Sequence, residues 1–413
     1  METKNKGKLV LASAIGINLM GGMLYSWSVF AAALVKELGY TKTQAQIPYT
    51  IALAMLALLS VPGGKIYDRF GPRVCTTAMG ILCGTGLILS GFSNSIPLFA
   101  LAFGLICGAG LGISYAATTP AAVKWFAPQK RGLITGLVVA GVGLASVYVA
   151  PMTQYFISNF GVKQAFWMEG IIFGIGILIL SQFISNPPAG YVPAGVAAPS
   201  VAGAGASSKR EYTTLEMMGT SQFWRIWFIY VCGAMAGLMI IGHMALIAKI
   251  QANVGWAFIF VAILAIFNAS GRVVGGVLSD KIGRTKTLLA MFILQGVNMA
   301  LFSNYTSIPL LVFGIACTGI GYGSLLAVFP PLTFDYFGLK NGGTNYGVVF
   351  TAWGVAGVIG PIMAGRIADA TKSYSTAYMV AAGFLVLAAV TVLTLKAPKE
   401  AADTKPVIAA QLK

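Results

Sequence analysis

The chain is 413 residues long, 57% hydrophobic and only 9% charged, with a formal net charge of +16. A soluble globular protein carries roughly 25% charged residues, so this chain lacks the charge to cover a water-facing surface. Soluble enzymes and nucleic-acid-binding domains are excluded. The apolar runs have the length that a helix needs to cross about 30 Å of hydrocarbon, and the ~10-residue alternation of membrane barrel strands is missing.

Twelve helical spans are predicted, at about 9–37, 43–69, 74–93, 96–126, 131–159, 163–186, 222–250, 255–280, 285–303, 308–337, 345–371 and 374–396. The first follows Lys8, is too long for a signal peptide and lacks a small-residue cleavage pattern, so it reads as a retained span. With this count, most of the 27 basic residues fall at the termini and in the loops after even-numbered spans. Only Lys36, Lys42, Lys163, Lys249, Arg366 and Lys372 lie on the other side, and Arg272 lies inside a span. That asymmetry places both termini in the cytoplasm, and the excess positive charge reflects topology and anionic lipid rather than nucleic acid. The five cysteines sit in apolar runs without metal-ligand spacing and read as reduced packing residues.

The second span closes on Gly64-Lys-Ile-Tyr-Asp68-Arg69-Phe-Gly71-Pro-Arg73, and the eighth on Gly276-Val-Leu-Ser-Asp280-Lys281-Ile-Gly283-Arg284. The aspartates and the paired glycines are separated by one common offset. Trp125-Phe126 with Gly136 repeats, at nearly that offset, as Tyr336-Phe337 with Gly347. Parallel repeats of this kind describe two halves that rock about a central site. The glycine of each motif is expected to allow close helix approach, and the aspartate to pair with a neighbouring arginine or a helix N-terminus. Asp68, Arg69, Arg73, Asp280, Arg284 and Arg131 are therefore gating candidates. The plain alternative is a tight turn between hairpin helices.

Residues 187–221 are rich in Ala, Gly, Pro and Ser and cannot bury enough apolar surface to fold alone. They read as a linker that ends in a short helix at 214–218. The expected organisation is an all-α membrane protein with a six-helix bundle at 1–186, the linker at 187–221, a second bundle at 222–396 and a tail at 397–413.

Together these motifs resemble the major facilitator superfamily. The likeness extends to its monocarboxylate porter family, and within it to a bacterial branch close to the oxalate/formate antiporter. It rests on Trp125-Phe126-Ala-Pro-Gln-Lys130-Arg131-Gly132-Leu133 with Gly136 and Ala140-Gly141, on Pro188-Ala-Gly190-Tyr191, on Glu216-Met217 with Phe223-Trp224, and on Asp335-Tyr336-Phe337-Gly338 with Asn345-Tyr346-Gly347. It implies a major facilitator fold that carries small organic acids across a bacterial inner membrane.

Arg272 lies eight residues before Asp280, so about 12 Å from the helix end at 1.5 Å per residue. A guanidinium at that depth costs at least a few kcal/mol, and it grips a carboxylate through two parallel hydrogen bonds. It is the first candidate for binding an anion; pairing with Glu169, Asp369 or a backbone carbonyl is the structural alternative. The resemblance implies that this arginine takes the substrate carboxylate. Asn268 lies one turn earlier on the same face. Eukaryotic-type relatives carry an aspartate there, implicated in proton coupling, so Asn268 is left to orient Arg272, meet a substrate oxygen, or make an interhelical contact. The oxalate-type antiporter has a lysine where this chain has Trp353. One fixed positive charge suits one carboxylate, because a second carboxylate unpaired in low dielectric is expensive.

Histidine ordinarily titrates near neutral pH, so His243, the one histidine, is a candidate for carrying a proton or touching substrate, and water-linked groups near Arg272 are the other candidate for the proton step. Tyr115 and Tyr322 lie in corresponding glycine-rich stretches and are candidate donors to the carboxylate. Leu24 and Phe329 are candidates for a wall around a small apolar tail. Core packing is the alternative for each of these.

No phosphate-binding loop, zinc set or catalytic triad occurs, so neither an enzyme, nor a cofactor, nor a metal site is expected. The leading expectation is a monomeric, proton-coupled symporter of short monocarboxylates of the lactate or pyruvate type, with the anion, the proton and the bilayer as its partners. The second is an organic-anion exchanger of the oxalate/formate kind. A membrane sensor is the third, and the duplicated gate motifs speak against it.

Overall fold

A chain in hydrocarbon must satisfy each backbone N–H and C=O within its own segment, so the apolar runs fold as helices. The computed structural model describes residues 3–115, 117–126, 131–188, 191, 211–338 and 341–398, among which no strand occurs. Twelve helices are long and apolar enough to cross a membrane. Spans 1 to 6 are Lys6–Glu37, Lys42–Tyr67, Pro72–Gly91, Ile96–Val123, Gly136–Phe160 and Val162–Ser181. Spans 7 to 12 are Ser221–Ala252, Phe258–Ile282, Arg284–Asn304, Ile308–Phe337, Thr344–Thr371 and Ser375–Leu393. These bounds follow the sequence reading closely at both ends of each span. A short helix, Thr214–Met218, precedes span 7 and is capped reciprocally by Thr213 and Glu216. Residues 192–210 of the linker and 399–413 of the tail lie outside the described residues.

The packing repeats with a shift of six spans. Span 2 packs on span 4 as span 8 does on span 10, and span 3 on span 6 as span 9 does on span 12. Span 1 packs on span 5 as span 7 does on span 11. The two halves then meet along two related seams, span 2 against span 11 and span 8 against span 5. The fold is thus two pseudo-symmetric six-helix bundles, as the duplicated motifs imply.

The motif glycines divide by position. Gly71 and Gly283 end their helices at φ +81° and +91°, a backbone conformation that side-chain-bearing residues rarely adopt. Gly64 and Gly276 do not mark a close approach: a Cβ at either would meet nothing within 4 Å. The close approach occurs elsewhere, where span 8 crosses span 10. A Cβ on Gly323 would lie 2.1 Å from the Asn268 carbonyl oxygen, and one on Gly271 would lie 2.4 Å from that of Ile320. Ser324 Oγ donates to the Gly271 carbonyl at 2.9 Å across the same crossing. This contact fixes the stretch of span 8 that carries Asn268 and Arg272.

Overpacking that crossing should therefore be felt directly. Gly323→Ala is expected to destabilise the purified protein by about 1–3 kcal/mol, read as a lowered midpoint of thermal unfolding in detergent. Gly383→Ala, on span 12 where a Cβ meets nothing within 4 Å, is the control and should leave the midpoint in place. Equal midpoints for both variants would contradict the role given to the crossing.

Candidate functional site

Between the halves lies a cavity of about 850 Å³. Its deep wall includes Leu24, Tyr25, Tyr115, Arg272, Phe350 and Trp353, contributed by both halves. Its other end is lined by Lys65, Tyr67, Lys124, Phe334 and Thr344, which sit where spans 2, 4, 10 and 11 meet the basic loops. The cavity thus reaches the end that carries most of the positive charge. Among the described residues that line it are three cations, Lys65, Lys124 and Arg272, and no acid.

Arg272 Nη1 donates to the Val139 carbonyl of span 5 at 3.1 Å, a bond from one half to the other. Its Nε is buried and makes no hydrogen bond. The acids considered as partners are engaged elsewhere. Glu169 accepts from the Thr153 hydroxyl, and Asp369 is held at the far end of the molecule. Most of the guanidinium's five N–H donors are therefore left to the cavity.

Asn268 does not line that cavity. It is 1% exposed, and its Oδ1 is unbonded beside a void of about 10 Å³ shared with Tyr25 and Ser146. A space of that size is close to what one water needs. Tyr322 is also buried and off the cavity. It accepts from Trp353 Nε1 at 2.7 Å, and its oxygen lies 3.4 Å from that of Tyr25. Because indole N–H can only donate, the Tyr322 proton is free to go to Tyr25, and the Tyr25 proton is then left for the cavity. Tyr115 stacks on Phe350 with ring centroids 5.2 Å apart, and Phe350 stacks on Trp353 at 5.1 Å. These rings form a flat apolar wall that both halves share.

Two further candidates lie off the cavity in this conformation. Phe329 does not shape the cavity; it is fully buried and stacks on Tyr230 at 3.8 Å within the second half. His243 does not reach the cavity either. Its Nε2 is 2.9 Å from the Pro361 carbonyl, which can only accept, so Nε2 carries the proton. Nδ1 then accepts from the Tyr374 hydroxyl at 2.9 Å. Burial and the neighbouring Asp369 carboxylate push the Tyr374 hydroxyl above its ordinary range, so it remains a donor. The ring is fully engaged because the chain turns span 7 inward on all sides.

At that far end the halves are locked together. Asp369, near the end of span 11, accepts from the backbone N–H of Lys42 and Thr43 at 2.9 Å each and from the Thr43 hydroxyl at 2.6 Å. A carboxylate from one half thus caps the N-terminus of span 2 in the other, where the helix dipole favours negative charge. Lys42 Nζ donates to the Ala368 carbonyl at 3.2 Å, and Gln46 Nε2 donates to the Gly242 carbonyl at 2.8 Å, beside His243.

The described gating candidates at the basic end stay within their own halves. Arg284 binds Asp280 and reaches Asp335 at 3.2 Å, tying spans 8, 9 and 10 together. Arg73 donates to the Gln182 carbonyl at 2.8 Å, and Arg69 lies over the Phe70 ring. The side chains of Asp68 and Arg131 lie outside the described residues. The sequence reading missed Lys65, Lys124 and Tyr67 as cavity residues and Asp369 as a closure, and it took the lysines as topological charge alone.

Residues 11–297 and 251–412 match the Major Facilitator Superfamily. An uncharacterized MFS-type transporter of Escherichia coli strain K12, YhjX, is 30% identical, covering 85% of each chain. The oxalate:formate antiporter of Oxalobacter formigenes is 30% identical, covering 91% of this chain and 87% of the relative. Monocarboxylate transporter 13 of Rattus norvegicus is 25% identical over 94% of this chain and 88% of its own. A bacterial homolog of the human lysosomal transporter Spinster, solved in an inward-facing and occupied conformation, superposes with a TM-score of 0.72 at 16% identity. That match covers 94% of this chain and 96% of the other. The chain belongs to the Major Facilitator Superfamily; it is a multi-pass membrane transporter and not an enzyme.

The far-end closure makes a prediction. Asp369→Ala removes the three hydrogen bonds that the carboxylate accepts across the seam, so the far end should open more often. Spin labels on the exposed loop positions Ser95→Cys and Thr306→Cys should then show a longer-distance population than in the parent. An unchanged distance distribution would refute the closure.

Proposed function

We propose that this transporter carries short monocarboxylates of the lactate or pyruvate type, coupled to protons, by alternating access. Arg272 binds the carboxylate between two rocking halves, residues 1–186 and 222–396. The observation that carries this reading is the pairing of Arg272 with a cavity that offers it no acid. A guanidinium with a buried, unbonded Nε and open N–H donors is complementary to a planar carboxylate. At its depth in the cavity Arg272 stands alone, since Lys65 and Lys124 lie at the helix ends. One deep charge favours one carboxylate.

Tyr25, supplied with a proton by the Trp353–Tyr322 chain, suits the hydroxyl or keto oxygen of such an acid, and Leu24 with the Tyr115–Phe350 pair suits its apolar end. Tyr322 then acts behind the surface, by holding Tyr25, and Asn268 stands beside the small void that Tyr25 also lines. His243 enters the proton step in the opposite conformation: the Gln46–Gly242 bond that covers it breaks when the far end opens. The basic end faces the cytoplasm of a bacterial inner membrane, with both termini there, and the carrier works as a monomer.

An organic-anion exchanger is the second reading. It is favoured by the 30% identity to the oxalate:formate antiporter and by the lack of any acid among the described cavity residues. Uptake of labelled lactate into proteoliposomes separates the two. A symporter takes up lactate into vesicles without internal substrate when a proton gradient points inward. An exchanger is silent until they are loaded with counter-anion. In either case Arg272→Lys and Arg272→Ala are expected to lower kcat/KM at least about a hundredfold, equivalent to roughly 2.7 kcal/mol. Near-normal uptake by either variant would remove the arginine from its role.

A further inference from the structure

We propose that Lys124, with Lys65, forms a second anion-binding station at the mouth of the cavity, which takes a short carboxylate before it reaches Arg272. The inference rests on the reading that the cavity carries such anions. Lys124 is held in place by neutral groups alone. Its Nζ donates to the Tyr67 hydroxyl oxygen at 2.8 Å, and Tyr67, itself buried, donates onward to Asn186 Oδ1 at 2.9 Å. The ammonium also lies 4.9 Å from the Tyr67 ring centroid. A tyrosine fixes the position of a lysine without cancelling its charge, whereas a carboxylate would do both. One of three ammonium donors is used, and two remain for a ligand.

Lys65 lines the same mouth and makes no hydrogen bond or ion pair among the described residues. No described acid lines the cavity, so the charge of the pair is uncompensated within it. A basic mouth with low-dielectric walls concentrates anions and raises their capture rate, and the effect falls with ionic strength. The station is built by spans 2 and 4 near their basic ends, whereas Arg272 lies on span 8, ten residues before that span ends at Ile282.

The test uses the full chain in phosphatidylcholine liposomes, with labelled lactate as the probe, at low and at high ionic strength. The double variant Lys65→Gln/Lys124→Gln is expected to raise KM about fivefold at low ionic strength and to change the maximal rate less than twofold. Its KM should lose the salt dependence shown by the parent. Lys124→Arg should keep the parental KM, which separates charge from folding. Calorimetric titration of lactate into Arg272→Ala in neutral detergent isolates the station: weak residual binding is expected, and it should vanish when the lysines are also replaced. Residual binding that survives their loss, or a KM and salt dependence unchanged in the double variant, overturns the station while leaving Arg272 untouched. Normal transport by Arg272→Ala would overturn the reading of the cavity, and the lysine result would still be readable. A KM effect that appears only when phosphatidylglycerol is added would assign the lysines to lipid headgroups and also overturn the proposal.

Discussion

The structure turns on a guanidinium placed partway through a membrane with no carboxylate among the described residues that line its cavity. A charge there is tolerable only beside water or an anion, so the cavity around Arg272 is a condition of the residue's presence. The wall obeys the same constraint. An acid 4 Å from Arg272 would attract it by about 4 kcal/mol at an effective dielectric of 20 and would compete with any anionic ligand. Glu169 and Asp369 are kept from that position by Thr153 in one half and by the start of span 2 in the other. The glycine-lined crossing of spans 8 and 10 then holds the arginine's backbone rigidly, and the Val139 carbonyl orients its side chain from across the seam.

The two ends of the molecule use charge in different ways. At the basic end, Asp280, Arg284 and Asp335 brace spans of a single half, which leaves the halves free to part there. At the far end, Asp369 joins the halves by capping a helix whose own residues, Thr41 and Gln44, already form a capping box. The related seam has no counterpart among the described residues: span 8 begins at Phe258, and its N-cap residue, Ala257, supplies no side-chain cap. Closure of the far end is therefore concentrated on the seam of spans 2 and 11, while the seam of spans 5 and 8 carries Arg272.

What could be read in the sequence follows from what one dimension records. Hydropathy and charge run along the chain, so the twelve spans, the duplicated motifs and the odd charge at 272 were all visible. Rotation of a helix about its axis is recorded only when one face meets lipid and another does not. Span 7 is apolar on every side and its core window is wholly buried, so nothing in it showed that His243 points away from the cavity. Phe329 and Tyr322 likewise lie off the cavity, through the rotation of span 10. Lys65 and Lys124 fit the charge asymmetry of the loops so well that their place on the cavity wall was hidden. Only the convergence of spans 2 and 4 brings them to one mouth.

The number of positive charges in the cavity then depends on depth. At the mouth, water solvates both the lysines and an arriving anion, so additional charges raise local concentration at little cost in specificity. Near Arg272 the stacked rings of Tyr115, Phe350 and Trp353 lower the local dielectric, and each further fixed charge would need an anion of its own to be tolerated. Trp353 and Tyr322 replace a second deep charge with a chain of neutral donors ending at Tyr25. A neutral donor satisfies a hydroxyl or keto oxygen without demanding a second carboxylate. In the proposed carrier a preference for singly charged acids would thus be set by the polarity of two or three groups at the bottom of the cavity, and the basic mouth above it would have no part in that choice.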